Sequence, residues 1–297
     1  RQRQMCIRDR LFPGINWGLV ATVLTPKKLQ KSYQDLYYKL LPVLGVNRNI
    51  GKTWRTLPER FQGLGLPDFE VEAFSKKVHF LQRKWGKEDR TGQMTRTAYE
   101  ALVVETGVYG DILSKSWKDL KLLATENTWY YNLWELCDSL QVVLHMDEKY
   151  QNKPVRAGDK SIIDTAIELG YTGTDLRSIN TVRKHLQLIH LSDLVLCDGK
   201  TLYQELFEAT GQADSKIRFP LERPASADKR VWRRFLNELT RGTNELQSAL
   251  GNYISDPHLR TEWRYDEATG ELLHANPDNT EYDVCLLYTS DAADEGL

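Results

Sequence analysis

Apolar residues that recur at helical spacing constrain the fold of this chain more than any other feature of its sequence. Thr25-Pro26 predicts a helix start, because threonine can cap free backbone amides and proline fits a first turn. A second helix is predicted after Asp68, with acidic residues in its first turn and basic residues in its last, as the helix dipole favours. The apolar positions of the two helices are Leu29, Tyr33, Leu36, Leu40 and Leu44, then Phe74, Val78, Leu81 and Trp85. These patterns predict a mainly α protein.

The second half of the chain predicts a smaller part of α+β character. KYQNKPVRAGDK, residues 149–160, has the proline, glycine and charges of a linker. A short helix closed by Gly170 and a longer helix in TDLRSINTVRKHLQLIHL should follow it. LVLCDGKTL and EWRYDEATGELLH each predict a short β-hairpin. We therefore expect a helical bundle-like region over 11–150 and a mainly helical region with hairpins over 155–284.

The two ends of the chain carry a pattern of another kind. RQRQMCIRDR, residues 1–10, can be back-translated into the mosaic-end adapter of transposase-based sequencing libraries. The start of CLLYTSDAADEGL, residues 285–297, can be back-translated into the reverse complement of that adapter. Such a match rarely arises by chance, so we expect both ends to be adapter-derived rather than a basic arm and an acidic tail. On this interpretation Met5 is not a start residue, and the chain is a piece of a longer, metagenomic protein.

The composition narrows the classes of partner. The chain has 40 Lys and Arg residues and 41 Asp and Glu residues. With a net charge of −1, it has no overall electrostatic attraction for a polyanion. Cys137 and Cys197, the cysteines outside the terminal segments, are widely separated, which disfavours a zinc site and a disulfide framework. No apolar run is long enough to span a bilayer and no secretory signal is visible. We expect an intracellular protein, of cytoplasm or nucleus, with no membrane partner.

Two glycine-containing stretches come close to nucleotide-binding motifs without matching them. GVNRNIGKT places five residues between Gly45 and Gly51, where a phosphate-binding loop requires four. GLGLPD, residues 63–68, is typical of a turn ahead of the Asp68 cap, because no strand precedes it as a dinucleotide fingerprint would require.

Other catalytic patterns are also missing. There is no GxSxG nucleophile motif, and acidic pairs such as Asp147-Glu148 lie at predicted helix ends or in loops. His185 and His190 lie five positions apart, and we interpret both as ordinary helix residues rather than metal ligands. We expect no catalytic residue, metal or cofactor in this fragment.

Basic residues interleaved with aromatic residues are the best candidates for a binding site. One set occupies the later part of the predicted second helix and the loop before it. Such a cluster can contact backbone phosphates without reading their sequence, although a solvated helix face is an equal alternative. The candidate nucleic-acid-binding residues are Arg48, Lys52, Arg55, Arg60, Lys76, Lys77, Arg83, Lys84 and Lys87. A weaker cluster consists of Lys229, Arg230, Arg233 and Arg234 around Trp232.

Two short motifs in the first cluster resemble a known family. The turn Leu44-Gly45-x-Asn47-Arg48 is followed by Arg60-Phe61-x-Gly63-Leu64-Gly65-Leu66-Pro67, which opens a helix. Together with INTVRKHLQLIHLSDLVLCDGKTL and RFPLERPASADKRVWRRFL, they resemble the segment that follows the polymerase core in reverse transcriptases of eukaryotic non-LTR retrotransposons. Gln62 stands where relatives often have glycine, and the loop NIGKT is poorer in proline and arginine than theirs.

The resemblance implies that the parent is an RNA-directed DNA polymerase that uses magnesium. The Tyr/Phe-x-Asp-Asp motif of that family is missing here, and it would lie upstream of this chain. The chain would then be a non-catalytic thumb-like region whose partners are the RNA/DNA template-primer and the upstream polymerase core.

A helical protein-interaction domain without a nucleic-acid role is the alternative. The two hypotheses differ in what the surface should show. The first predicts that Arg48, Arg60, Lys77, Lys84 and Lys87 share one face. The second predicts an exposed apolar patch centred on Trp129, Tyr130 or Trp134. Neither predicts an oligomeric state.

Overall fold

The computed structural model describes residues 12–209 and 223–254 and the strand segments 262–266, 271–275 and 282–285. The described residues form a mainly helical protein, which confirms the predicted fold class. Short 3-10 turns join several of the helices. The α-helices are α1 (Phe12–Trp17), α2 (Pro26–Val43), α3 (Lys52–Thr56), α4 (Phe69–Lys84), α5 (Arg90–Thr106), α6 (Trp117–Leu120), α7 (Trp129–Leu140), α8 (Ile162–Glu168), α9 (Gly173–Leu186) and α10 (Ser226–Thr240).

The chain divides into two compact units. The first contains the described residues up to Leu102 together with Leu113–Tyr150. The second contains Val103–Ile112 and the described residues from Gln151 onward. The division after Tyr150 falls within the predicted linker, whereas the sequence does not predict that Val103–Ile112 belongs to the second unit.

The first unit is built on α2, α4 and α7, which pack against one another. Both predicted helix starts are present. The Thr25 side chain accepts a hydrogen bond from the Lys28 amide at 3.3 Å, and the Asp68 carboxylate accepts one from the Glu70 amide at 3.2 Å. The Phe69 ring lies at the centre of the core and stacks on the Tyr33 ring, with centroids 3.4 Å apart. The caps and this aromatic contact fix α2 and α4 around the loop that joins them.

The second unit packs α9 against α8 and α10 around fully buried Ile163, Ile179, Trp232 and Phe235. A buried arginine on α9 organises its polar interior. The Arg183 guanidinium donates hydrogen bonds to the Glu105 carbonyl at 2.7 Å and to the Leu188 carbonyl at 2.9 Å. Because Glu105 lies in the last turn of α5, Arg183 supplies a donor that this helix end lacks.

The stretch predicted as a linker is partly core. Arg156 is 1% exposed, and its Nε donates a hydrogen bond to the Gly251 carbonyl at 2.8 Å. Asp159 is also buried, and it accepts hydrogen bonds from the Ser192 amide and hydroxyl at 3.1 and 2.9 Å. The linker prediction is wrong at these positions because their charges are satisfied by distant backbone and side-chain partners.

The strands of the second unit form an antiparallel sheet in the order β1 (Glu262–Asp266), β2 (Glu271–Ala275) and β3 (Tyr282–Cys285). β1 and β2 pair with Tyr265 opposite Leu272, within the stretch EWRYDEATGELLH. In LVLCDGKTL, Val195 and Leu202 form an isolated antiparallel bridge on either side of a turn rather than a pair of strands.

Candidate nucleic-acid interface

The loop between α2 and α4 holds the short helix α3 in place through backbone hydrogen bonds. The Leu64 amide donates to the Trp54 carbonyl at 3.0 Å, and the Leu66 amide donates to the Arg55 carbonyl at 2.8 Å. Gly63 allows this close approach, since a Cβ atom at its position would lie 1.9 Å from the Leu57 carbonyl oxygen. The GLGLP stretch therefore forms the predicted turn, and that turn fixes α3.

Two adjoining cavities lie between α2 and α3, and they share Gln34 and Arg55. We call them the inner and the outer cavity. The inner cavity has a volume of about 130 Å³ and is lined by Gln30, Tyr33, Gln34, Tyr37, Lys52, Arg55, Thr56, Pro67, Asp68, Phe69 and Glu70. The outer cavity has a volume of about 260 Å³ and is lined by Gln34, Tyr38, Arg48, Asn49, Ile50 and Arg55.

Three of the predicted basic residues meet at these cavities. The Arg48 guanidinium carbon lies 4.8 Å from the centroid of the Tyr38 ring, and that of Arg55 lies 5.4 Å from the Tyr37 ring. Lys52 forms an ion pair with Asp68, with its Nζ 2.8 Å from Oδ2. The structure thus brings Arg48, Lys52 and Arg55 together.

Arg55 is the most constrained of the three. Its Nε is inaccessible to solvent and has no hydrogen-bond partner among the described residues. The Tyr37 hydroxyl donates to the Pro67 carbonyl, and burial followed by the nearby Asp68 charge raises the pKa of Tyr37, so this phenol stays neutral. Arg55 therefore stacks on a neutral ring and keeps a donor unused.

Exposed aromatic rings surround the basic residues. Tyr38, Trp54 and Phe61 are each more than half exposed, at 53%, 54% and 55%. The Arg60 guanidinium carbon lies 4.8 Å from the Phe61 ring centroid. The sequence analysis missed Tyr38 and Trp54, although their positions beside Tyr37 and Arg55 in the sequence were a signal. Proteins that bind single-stranded nucleic acid use exposed aromatic rings next to cations as surfaces on which the bases stack.

Lys77 does not belong to this surface. Its side chain is fully buried, and its Nζ lies 4.6 Å from the Trp129 ring centroid and 3.4 Å from the Val20 carbonyl oxygen, to which it donates a hydrogen bond. Because Lys77 has no access to solvent, the prediction that it contacts phosphate on a shared basic face is wrong. The buried face of α4 consists of Phe69, Ala73, Lys77 and Leu81. The predicted face contained Phe74 and Val78, which lie one position later than Ala73 and Lys77.

The basic residues near the end of α4 make contacts within the protein that stabilise this helix end. The Lys84 ammonium lies 2.8 Å from Asp89, and its hydrogen bond holds the pKa of that carboxyl below its usual range. The Arg96 guanidinium donates to the carbonyls of Trp85 at 2.6 Å and Lys87 at 2.8 Å, which lie just after α4. The other predicted residues, Arg60, Lys76, Arg83 and Lys87, are exposed but line neither cavity.

The weaker basic cluster on α10 is largely paired. Trp232 is fully buried, Arg233 lies 3.0 Å from Glu208, and Arg234 lies 2.6 Å from Asp175. These contacts describe a helix held to its neighbours in the second unit.

Two of the three aromatic residues named for the apolar patch of the interaction hypothesis are buried, and the third, Trp129, is half-buried, with its indole donating to the Val20 carbonyl at 2.7 Å. Trp134 is fully buried, with its indole donating to the Lys115 carbonyl at 2.7 Å. Tyr130 is 3% exposed, and its hydroxyl donates to the Thr95 carbonyl at 2.9 Å. Both aromatic residues form core rather than surface.

A polar cluster in the second unit was not predicted. His190 lies outside α9, in contrast to its interpretation as a helix residue, and its Nδ1 is 2.6 Å from the Tyr109 hydroxyl. Burial lowers the pKa of His190, while Asp193 and Asp159 oppose that shift. Asp164 accepts a hydrogen bond from the Tyr109 amide at 2.6 Å. The cluster fastens Val103–Ile112 within its unit.

Within the described part of the chain, no three His, Cys, Asp or Glu side chains converge as a metal site would require. None of the described helices combines the length and the apolar character needed to cross a membrane. Comparisons with protein-family models, curated proteins and solved structures find no match.

Proposed function

We propose that this chain is a non-catalytic segment of a reverse transcriptase that holds template-primer nucleic acid. The observation that carries the proposal is the convergence of Arg48 and Arg55 on the outer cavity, beside the exposed Tyr38 ring. Cations next to an exposed ring provide both phosphate contact and stacking. Two of the four stretches that resemble the reverse-transcriptase family adjoin this surface, since Arg48 lines the outer cavity and Pro67 lines the inner one.

The proposal extends to the parent protein. Its magnesium and its active-site carboxylates would belong to the upstream polymerase core, which would be a partner of this segment. The role of the present chain is positional, since it would contact the nucleic-acid backbone and leave the chemistry to that core.

Salt-dependent binding of the full chain to a primer–template RNA/DNA duplex tests the proposal. We expect measurable affinity that falls as salt rises, because each phosphate contact releases counterions. Arg48→Gln should weaken binding and reduce the salt slope by about 1. Lys28→Gln, an exposed α2 residue outside both cavities, is the matched control and should change neither quantity. Absence of binding at low salt would refute the proposal.

One observation favours the protein-interaction alternative. Trp17 is 87% exposed and lines an apolar groove with Pro13, Val20, Ala21 and Lys76. An exposed tryptophan is a frequent anchor of protein interfaces. If the chain fails to bind nucleic acid, Trp17→Ala is the variant with which to test binding to a polymerase core.

A further inference from the structure

We propose that the inner and outer cavities together hold one unpaired nucleotide, with its phosphate in the outer cavity and its base in the inner cavity. The inference rests on the proposed function and makes it more specific, because it names a single-stranded rather than a duplex ligand. Gln34 and Arg55, which line both cavities, would lie at the junction between phosphate and base.

The outer cavity has the charge that a phosphate requires. Its described lining includes Arg48, Arg55 and the amide of Asn49, and it includes no carboxylate. Guanidinium groups bind phosphate oxygens through two parallel N–H bonds. Arg55 carries an Nε donor that no described residue uses. Because this nitrogen is shielded from solvent, a phosphate oxygen reaches it only when the half-buried Arg55 side chain turns towards the outer cavity, and the contact would then satisfy the donor.

The inner cavity has a different character, which suits an uncharged base. The Lys52 charge is already matched by Asp68, at 2.8 Å, and Glu70 accepts a hydrogen bond from the Ser139 hydroxyl. The carboxylates of Asp68 and Glu70 offset the charges of Lys52 and Arg55, so the inner cavity offers a phosphate no net attraction. The amides of Gln30 and Gln34 instead offer donors and acceptors of the kind that recognise base edges.

The base must be unpaired to enter. In a duplex, the Watson–Crick edges are already hydrogen-bonded and each base is stacked between its neighbours, so side-chain amides do not reach them. An unpaired nucleotide can turn its base into the inner cavity beside Tyr33 and the Phe69 ring. The Tyr38–Arg48 stack at the outer cavity then offers a platform for the next base along the strand.

Fluorescence anisotropy with the full chain tests the inference with three probes at one salt concentration. They are a single strand, the same strand in a duplex, and the same strand with abasic sites throughout, each made as DNA and as RNA. We expect the single strand to bind about tenfold more tightly than the abasic strand, because stacking and edge contacts are lost with the bases. The duplex should bind about as weakly as the abasic strand.

Two variants separate the phosphate contact from the base contact. Gln34→Leu should weaken single-strand binding several-fold and leave abasic-strand binding and the salt slope unchanged. Arg55→Gln should weaken binding of all three probes and flatten the slope. Gln82→Leu, an exposed glutamine of α4 outside both cavities, is the matched control and should bind as the original chain does.

The outcomes distinguish the inference from the proposed function. Equal binding of the three probes, with no effect of Gln34→Leu, would overturn the inference and leave the proposed function standing. A duplex that binds more tightly than the single strand would also overturn it. If none of the probes binds, both fail. Circular dichroism of each variant identifies a loss of affinity that comes from unfolding.

Discussion

Replacing Lys77 by methionine should stabilise the first unit at neutral pH. The ammonium group is fully buried on α4, and burial lowers the pKa of Lys77 from 10.5 to about 8. Methionine has a similar length and carries no charge, so it can fill the same space against the Trp129 ring. The Val20 carbonyl keeps a donor in the variant, because the Trp129 indole also donates to it, at 2.7 Å.

The size of the effect follows from the pKa. One pKa unit corresponds to about 1.4 kcal/mol, so the lowering to about 8 means that the buried charge costs about 3 kcal/mol. The contact with the Trp129 ring offsets up to about 2 kcal/mol of that cost. We therefore expect the free energy of unfolding to rise by about 1–3 kcal/mol at pH 7.

The gain should also depend on pH. Below the folded-state pKa of about 8, Lys77 is charged in both states, and the folded state carries the whole cost. Between about 8 and 10.5 the folded state is neutral while the unfolded chain still binds a proton, so the original protein gains stability as pH rises. The advantage of Lys77→Met should therefore shrink over this range.

The measurement is urea unfolding monitored by hydrogen exchange of peptides from α4. It gives the free energy of unfolding of the first unit separately from that of the second, since two units need not unfold together. Lys76→Met is the matched control, because Lys76 is the exposed neighbour of Lys77 and its replacement should change stability by less than about 0.5 kcal/mol. A loss of stability in Lys77→Met at pH 7, or a gain that is the same at pH 7 and pH 10, would refute the reasoning.

Three further predictions concern the loop before α4 and the interior of the second unit. Gly63→Ala should destabilise the first unit by about 1–3 kcal/mol in urea melts and weaken phosphate binding, because its Cβ would clash with the Leu57 carbonyl. Gly51→Ala should do neither, because the nearest atom to its Cβ, Cδ1 of Trp54, lies at a contact distance of 4.0 Å. Arg183→Met should destabilise the second unit by about 3 kcal/mol or more, measured by hydrogen exchange, since the Glu105 carbonyl loses a buried donor; an unchanged exchange pattern would contradict this. Acidification below pH 6.5 should destabilise the second unit, because burial lowers the pKa values of His190 and His185 and the unfolded chain binds these protons first. His190→Gln should reduce this pH dependence of the unfolding curve, and the part due to His185 should remain.

Local signals in the sequence were sufficient for the helices of the first unit. Thr25 and Asp68 cap α2 and α4 as predicted, because a cap depends on a residue and the amides two or three positions after it. The same holds for Gly170, which has a φ of +90° just beyond α8. Short-range geometry of this kind is encoded within one or two helical turns.

The buried cations could not be predicted in the same way. Lys77, Arg156 and Arg183 are hidden by segments far away in sequence, and their partners are mostly backbone carbonyls, which every residue carries. The sequence around a charged residue does not show whether its side chain is solvated or bonded to a distant backbone carbonyl. For Lys77 the usable signal was its place in the i, i+4 series with Phe69, Ala73 and Leu81. A lysine in such a series usually lies at the border of the buried face, with its charged end in solvent, rather than in the core.

Burial of cations also bears on the strength of nucleic-acid binding. With a net charge of −1, the protein has no long-range attraction for a polyanion, so affinity must come from the few cations that reach a phosphate. At the candidate interface these are Arg48 and Arg55, since Asp68 neutralises Lys52. Two phosphate contacts correspond to a slope of log affinity against log salt of about −1.4 for a single strand. A much steeper slope would show that Arg83, Lys87 or other exposed cations also contribute, and the interface would then extend beyond the two cavities.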